Sequence, residues 1–309
     1  MSIFNKKSVK NENPEKDKHN KHGNITAEEI NKIDMDLIIR KTILNEQTPF
    51  LISEAYKAAR TNIMFALKDN KGCKKVIITS ANPGEGKSTN CVNIAISFAQ
   101  MGERVLIVDA DMRRPRLHRY FKIKNKNGTS NILGGFSSVD ECIYHDEGTN
   151  VDVITAGHVP PNPAELLASE EMDNMLEQLV QMYDYIFIDT PPINVVTDVA
   201  LIAKKVTGVM IVVRHNITSR DMIDRCINSL NFAGARLMGF VLNAVEHNEY
   251  VGKYTYNSYK KYGIKKYGYR KYGKYGYGKY GYGKYGYGKY GYGYGDTDYE
   301  DDTNGDVSN

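Results

Sequence analysis

The chain has 309 residues, 41% of them hydrophobic, and a net charge of +4, which suits one sizeable α/β domain with flanking segments. No apolar run approaches the roughly 20 residues of a membrane helix, and the polar, lysine-rich start excludes a secretory signal, so we expect a cytoplasmic protein. The four cysteines are far apart and form no C-x-x-C pair, which argues against a zinc site or a disulfide framework.

Composition divides the chain into three parts. Residues 1–40 are polar and poor in apolar residues, which predicts disorder. Residues 41–248 contain the apolar strands and amphipathic helices of a folded domain, which we expect to end near Val245. Residues 249–309 are rich in Tyr, Gly and Lys, cannot bury a core, and are predicted to be a second disordered segment.

Strands and helices alternate in the middle part. Helices are predicted over 53–67, with Ser53 as the N-cap, and over 87–101, 164–182 and 219–232. Strands are predicted over 76–80, 105–109, 151–155, 185–189, 209–213 and 239–242. The alternation predicts an α/β fold with a mostly parallel sheet flanked by helices on both faces, and the phosphate-binding loop described next makes it the P-loop NTPase type.

A phosphate-binding loop is predicted where the first strand meets the next helix. Its nucleotide-binding residues are Pro83, Gly84, Glu85, Gly86, Lys87, Ser88 and Thr89. Gly84 and Gly86 let the backbone approach the phosphates, and the helix N-terminus attracts the anion. Lys87 would reach the β- and γ-phosphates, and Ser88 would ligate Mg²⁺. Ala81 stands where the general pattern has its first Gly.

Two further strands end in carboxylates. Asp109 ends one strand, with Asp111 two residues on, and Asp189 ends another. Ligands of open α/β sheets bind beyond the carboxyl ends of the strands, so these three groups can converge on a metal and phosphates. A strand-end Asp can also cap a helix, and this alternative stays open for each of them.

Several segments resemble motifs of bacterial tyrosine kinases of the CpsD/CapB family. Residues 81–89, 109–115 and 188–192 are similar to its Walker A, Walker A′ and Walker B motifs, and residues 159–167 to a further stretch. The resemblance covers about residues 53–245. It implies an ATP-dependent protein-tyrosine kinase that regulates capsular or extracellular polysaccharide synthesis, with ATP and Mg²⁺ as cofactors.

The resemblance also implies partners. They are a separate transmembrane activator, which would recruit the chain to the inner face of the cell membrane, a cognate tyrosine phosphatase, and other proteins phosphorylated on tyrosine. A homo-oligomeric ring is implied as well, because an E-x-x-R-x-x-R helix packs between subunits in the family. Glu54, Lys57 and Arg60 fill those positions here, and Lys57 cannot offer the bidentate fork of the Arg that it replaces.

Catalytic roles follow for Lys87, Asp109, Asp111 and Asp189. Lys87 would offset charge on the γ-phosphate. Asp111 and Asp189, with Ser88, would hold the metal directly or through water. A tyrosine hydroxyl has a pKa near 10 and arrives protonated, so Asp109 is assigned to accept that proton or to orient the hydroxyl.

Two further residues have open assignments. Arg113 would steady a phosphate or the loop of its motif. Asn243, at the end of the last predicted strand, would contact adenine, or would close a turn.

The C-terminal part contains 18 of the 23 tyrosines. A five-residue repeat begins at Lys274, and the flanking glycines leave each ring accessible. The predicted autophosphorylation sites are Tyr267, Tyr269, Tyr272, Tyr275, Tyr277, Tyr280, Tyr282, Tyr285, Tyr287, Tyr290, Tyr292 and Tyr294.

Two other functions remain open at this point. The first is a non-kinase ATPase of the partitioning or septum-positioning type, whose phosphate loop commonly carries an early lysine that residues 82–85 lack. The second is tail-mediated self-association or binding of single-stranded nucleic acid, through lysines interleaved with tyrosines. We do not expect nucleic acid to be the main partner.

Overall fold

The computed structural model describes residue 39 and residues 41–245. The predicted segments 1–40 and 249–309, residue 39 apart, lie outside these residues, as do all the predicted phosphorylation sites. Within the described part, no helix combines the length and the apolar character needed to cross a membrane.

One seven-stranded sheet organises the described residues. Its strands are β1 (Lys74–Ser80), β2 (Val105–Asp109), β3 (Ile143–Asp146), β4 (Val151–Ile154), β5 (Tyr185–Asp189), β6 (Gly208–Arg214) and β7 (Leu237–Asn243). They lie in the order β3-β4-β2-β5-β1-β6-β7. All neighbouring strands pair in parallel except β3, which runs antiparallel to β4 at one edge. The mostly parallel sheet confirms the predicted fold class.

Helices cover both faces of this sheet. They are α1 (Phe50–Ala66), α2 (Lys87–Ala99), α3 (Leu117–Tyr120), α4 (Thr129–Leu133), α5 (Val139–Cys142), α6 (Pro163–Ala168), α7 (Glu170–Met182), α8 (Asp198–Ile202) and α9 (Arg220–Phe232). A 3₁₀ turn, Ala203–Lys205, follows α8.

Each face of the sheet has its own apolar core. On one face, Ile77 packs with residues of α7 and α9. On the other face, Val76 packs with residues of α1 and α2. There Phe98 is fully buried, with its ring centroid 4.3 Å from that of Tyr185 and 5.3 Å from that of Phe187. This packing holds α2 firmly against the strands that carry the site.

Two predicted helix boundaries were wrong. Helix α1 begins at Phe50 after Pro49, whose fixed φ suits a helix start, so Ser53 lies inside the helix and is not its cap. The predicted helix 164–182 is two helices, because Ser169 is extended between them. The β3 strand and the short helices α3, α4, α5 and α8 were missed, since four or five residues are too few to show a hydrophobic period.

Candidate active site

The phosphate-binding loop connects the carboxyl end of β1 to the first residue of α2. Gly84 and Gly86 have φ values of +83° and +94°, a left-handed conformation that favours glycine. A Cβ at Gly86 would also lie 2.1 Å from Nδ2 of Asn243. Ala81 is fully buried and is not among the residues with positive φ, so its methyl group is tolerated where the general pattern has Gly.

Three side chains of the predicted site meet at the amino group of Lys87. Its Nζ lies 2.9 Å from Oδ2 of Asp111, 3.3 Å from Oδ1 of Asp189 and 3.3 Å from Oγ of Ser88. The Ser88 hydroxyl donates to Oδ2 of Asp189 at 2.6 Å. The predicted metal ligands and the predicted phosphate-binding lysine therefore lie together at a single site.

Sheet register explains this convergence. Asp109 and Asp189 are aligned partners on the adjacent strands β2 and β5. Asp189 is also paired in register with Ile78 of β1, the strand that leads into the phosphate loop. Parallel strands that end at one edge bring their terminal side chains together, as the sequence pattern predicted.

Burial and charge set the protonation of these groups. Burial lowers the pKa of Lys87, but the charges of Asp189 and Asp111 outweigh it, so the net shift is upward and the ammonium is held charged. Burial raises the pKa of Asp189, against the opposing effects of the Lys87 charge and the Ser88 hydrogen bond. Lys87 and the two acids thus form a buried ionic cluster, in which one ammonium faces two carboxyl groups.

Asp109 is engaged differently from Asp111 and Asp189. It is fully buried, and its carboxylate accepts the backbone N–H groups of Asp111, Arg116 and Leu117 at 3.1–3.3 Å. Because α3 begins at Leu117, the alternative of a helix cap describes this carboxylate well. Burial, with the charge of Asp189, raises the pKa of Asp109 to about 8.

Arg113 points to a buried acid and not to the phosphate loop. Its guanidinium donates to both carboxylate oxygens of Asp198, at 2.8 and 3.0 Å. Asp198 is fully buried at the first position of α8. This geometry favours the steadying of the motif loop over direct contact with a phosphate, and the sequence pattern gave no sign of Asp198.

Asn243 and Thr89 each connect the phosphate loop or helix α2 to a neighbouring element. Nδ2 of Asn243 donates to the carbonyl oxygen of Glu85 at 2.9 Å, so the end of β7 is bonded to the phosphate loop. The Thr89 hydroxyl lies 2.7 Å from that of Tyr120 in α3. Contact of Asn243 with adenine stays a prediction.

The donor set of the site fits magnesium. Hydroxyl and carboxylate oxygens are its preferred ligands, and it is commonly held by one or two carboxylates together with phosphates. Within the described residues, no group of three or more His, Cys, Asp or Glu side chains could hold a metal by itself. Ser88, Asp111 and Asp189 would therefore share the ion with the nucleotide.

Comparisons with known proteins agree with this geometry. A family model described as an AAA domain matches residues 73–237. Tyrosine-protein kinase YwqD of Bacillus subtilis is 37% identical over 214 residues, which are 68% of this chain and 90% of YwqD. Tyrosine-protein kinase CpsD of Streptococcus agalactiae is 36% identical over 211 residues, 68% of this chain and 89% of CpsD.

The chain belongs to the bacterial tyrosine kinase family.

Solved structures place this kinase with kinase domains. The kinase domain of the Escherichia coli tyrosine kinase ETK superimposes with a TM-score of 0.62 at 34% identity, covering 64% of this chain and 77% of that one. The chimerical protein CapA2B2 gives a TM-score of 0.61 at 38% identity, covering 67% and 89%. These relatives support the kinase function over the partitioning-type ATPase.

The predicted oligomer helix of this kinase is α1. Lys57 forms an ion pair with Glu54 at 2.8 Å on the exposed side of the helix. Arg60 instead donates to the carbonyl oxygen of Ser97 in α2, within the same subunit. The exposed side chains of Glu54 and Lys57 are therefore accessible to a neighbouring subunit, whereas Arg60 already connects α1 to α2. The ring stays a prediction.

Proposed function

We propose that this kinase transfers the γ-phosphoryl group of Mg-ATP to tyrosines of its own C-terminal segment. The observation that carries the proposal is the meeting of Ser88, Asp111 and Asp189 at the amino group of Lys87. Such an arrangement joins a phosphate-binding lysine to hard oxygen ligands, as phosphoryl transfer requires.

The proposed mechanism is mainly one of positioning and charge. Lys87 and the N–H groups at the start of α2 bind the phosphates, and bound magnesium would neutralise part of their charge. The tyrosine oxygen attacks the γ-phosphorus, the bond to the β–γ bridging oxygen breaks, and ADP leaves. Asp109 remains the predicted acceptor of the tyrosine proton, and its three backbone hydrogen bonds fix the loop that carries Asp111.

The tyrosine-rich segment suits the role of substrate. A flexible chain of about 50 residues has an r.m.s. span of roughly 40 Å, enough to reach the site of a neighbouring subunit in a ring. Between residues 250 and 295 there are ten Lys and one Arg, with no Asp or Glu. Each phosphate would add about −1.5 to −2 charges, so multiple phosphorylation would reverse the charge of the segment and favour ring disassembly.

The cellular setting is inferred from the relatives. Some are far longer than this chain, as in tyrosine-protein kinase ptk of Acinetobacter johnsonii, of which the match covers 26%. We infer that a separate transmembrane activator recruits the kinase to the inner face of the membrane. A cognate phosphatase, other tyrosine-phosphorylated proteins and control of capsular or extracellular polysaccharide synthesis complete the proposal.

A product analysis tests the proposed reaction. The full chain is incubated with γ-labelled ATP and Mg²⁺, with and without the proposed transmembrane activator. Label recovered as phosphotyrosine supports the kinase. Label released only as inorganic phosphate in both incubations would show an ATPase that is not a kinase.

A further inference from the structure

A buried carboxylate lies inside the phosphate-binding loop. Glu85 stands between the two left-handed glycines, Gly84 and Gly86, and only 1% of its surface is exposed. A negative charge in a loop that binds a triphosphate opposes that binding, and burying it is costly unless hydrogen bonds compensate. The carboxylate of Glu85 therefore needs hydrogen-bond partners that stabilise it in this buried position.

Hydrogen bonds from two segments of the chain stabilise this carboxylate. One oxygen of Glu85 accepts the backbone N–H of Asn82 at 3.0 Å, a bond that crosses the loop. The other accepts the hydroxyl of Thr218 at 2.7 Å, from the connection between β6 and α9. The Thr218 hydroxyl in turn accepts the backbone N–H of Arg214 at 2.8 Å, which fixes its direction.

Two more contacts join the same elements to the loop. The Arg214 guanidinium donates to the carbonyl oxygen of Gly84 at 3.1 Å, and Nδ2 of Asn243 donates to the carbonyl oxygen of Glu85 at 2.9 Å. We refer to Arg214, Thr218 and Asn243 as the loop clamp. Its three members hold the consecutive loop residues Gly84 and Glu85 from the end of β6, from the connection that follows β6 and from the end of β7.

We propose that Thr218 and Glu85 are positioning residues, through which the loop clamp sets the shape of the phosphate loop before nucleotide binds. The inference rests on the proposed function, because it concerns the same site. A loop held in its binding conformation loses less entropy when it closes on phosphates, so the clamp raises nucleotide affinity. The chemical step depends on Lys87 and the metal ligands, so it should be affected little.

Substitution of Thr218 in the full-length protein tests this inference. Thr218→Val removes the hydroxyl at nearly constant shape, and Thr218→Ser retains it. Thr207→Val is the matched control, because the Thr207 hydroxyl also accepts a backbone N–H, that of Lys75 at 3.0 Å, outside the loop. The readouts are the Kd of Mg-ADP, the KM for ATP, kcat at saturating ATP and the melting temperature.

Thr218→Val is expected to raise Kd and KM about ten-fold, the range for one hydrogen bond to a charged group, while kcat changes less than two-fold. Thr218→Ser should restore affinity, and Thr207→Val should leave it unchanged. If Thr218→Val does not fold, Thr218→Ala, which also lacks the hydroxyl, replaces it and should weaken binding about as much. Unchanged affinity in the tested variant, or an equal loss in Thr218→Ser or Thr207→Val, would overturn the inference. Wild-type protein that binds Mg-ADP without making phosphotyrosine would instead refute the proposed function.

Discussion

The hydroxyl of Ser88 lies 2.6 Å from a carboxylate oxygen of Asp189, across 101 residues of sequence. One group belongs to the first turn of α2 and the other to the last position of β5. Since Lys87 contacts both, the phosphate loop and the strand-end carboxylate act as one site.

Ser88→Ala should weaken the response to magnesium. Loss of the hydroxyl removes one of the proposed metal ligands, so the Mg²⁺ concentration for half-maximal phosphotyrosine formation should rise about ten-fold. The measurement is a magnesium titration at fixed ATP. Ser97→Ala is the control, because Ser97 lies on the same helix and its hydroxyl bonds only to the helix carbonyl of Ile94. An equal shift in both variants would point to damage of the helix instead.

Arg113→Ala should destabilise the fold. It would leave the fully buried carboxylate of Asp198 without its guanidinium, at an expected cost of about 2 kcal/mol. The figure lies below the usual loss for a buried pair because Arg113 itself is 39% exposed. Urea unfolding measures it. Adding Asp198→Asn should recover part of the loss, and a double variant no more stable than Arg113→Ala would contradict this explanation.

The ion pair between Arg104 and Asp184 should give stability that depends on pH. Hydrogen bonding from Arg104 holds the pKa of Asp184 below its ordinary value. Because the folded-state pKa is the lower one, this stabilisation is present above the pKa of the unfolded chain, about 4, and disappears as the pH falls through the folded-state value. In urea unfolding, Asp184→Asn should therefore be less stable than wild type at pH 7 and approach it toward pH 3. A constant difference would show that the carboxylate charge is not responsible.

Phosphorylation of the tyrosine-rich segment should occur between subunits. Isotope-labelled wild-type kinase is mixed with unlabelled Lys87→Met protein, and phosphotyrosine is assigned to either chain by mass. The inactive chain should acquire phosphate, because a flexible segment of the predicted kind would span to a neighbouring site. Phosphate found only on the labelled chain would exclude transfer between subunits.

The sequence predicted those parts of the site that local patterns encode. Lys87 and Ser88 follow a glycine-bounded loop, and Asp109 and Asp189 end apolar strands, so parallel pairing alone places them at one edge. Contacts between distant segments were missed. The bond of Glu85 to Thr218 joins residues 133 apart, and no local period or cap signal records such a pair.

Arg113 shows the same limit. Its motif left open whether it steadies a phosphate or the motif loop, because the partner that fixes its direction is Asp198, 85 residues away in a five-residue helix. The helix start predicted at Ser53 was misplaced and the break at Ser169 was missed, because serine favours helix caps and turns but does not by itself show whether a helix begins or continues there.

Mapping of phosphotyrosine by mass spectrometry in full-length wild-type and Lys87→Met proteins, each incubated with Mg-ATP and the activator, tests the central claim most directly. Lys74→Met is the control, because Lys74 lies at the opposite end of β1 from the phosphate loop. We predict phosphate on several tyrosines between Tyr267 and Tyr294 in the wild type and in Lys74→Met, and at least a hundred-fold less in Lys87→Met. Equal phosphorylation of Lys87→Met, or none in the wild type, would contradict the account.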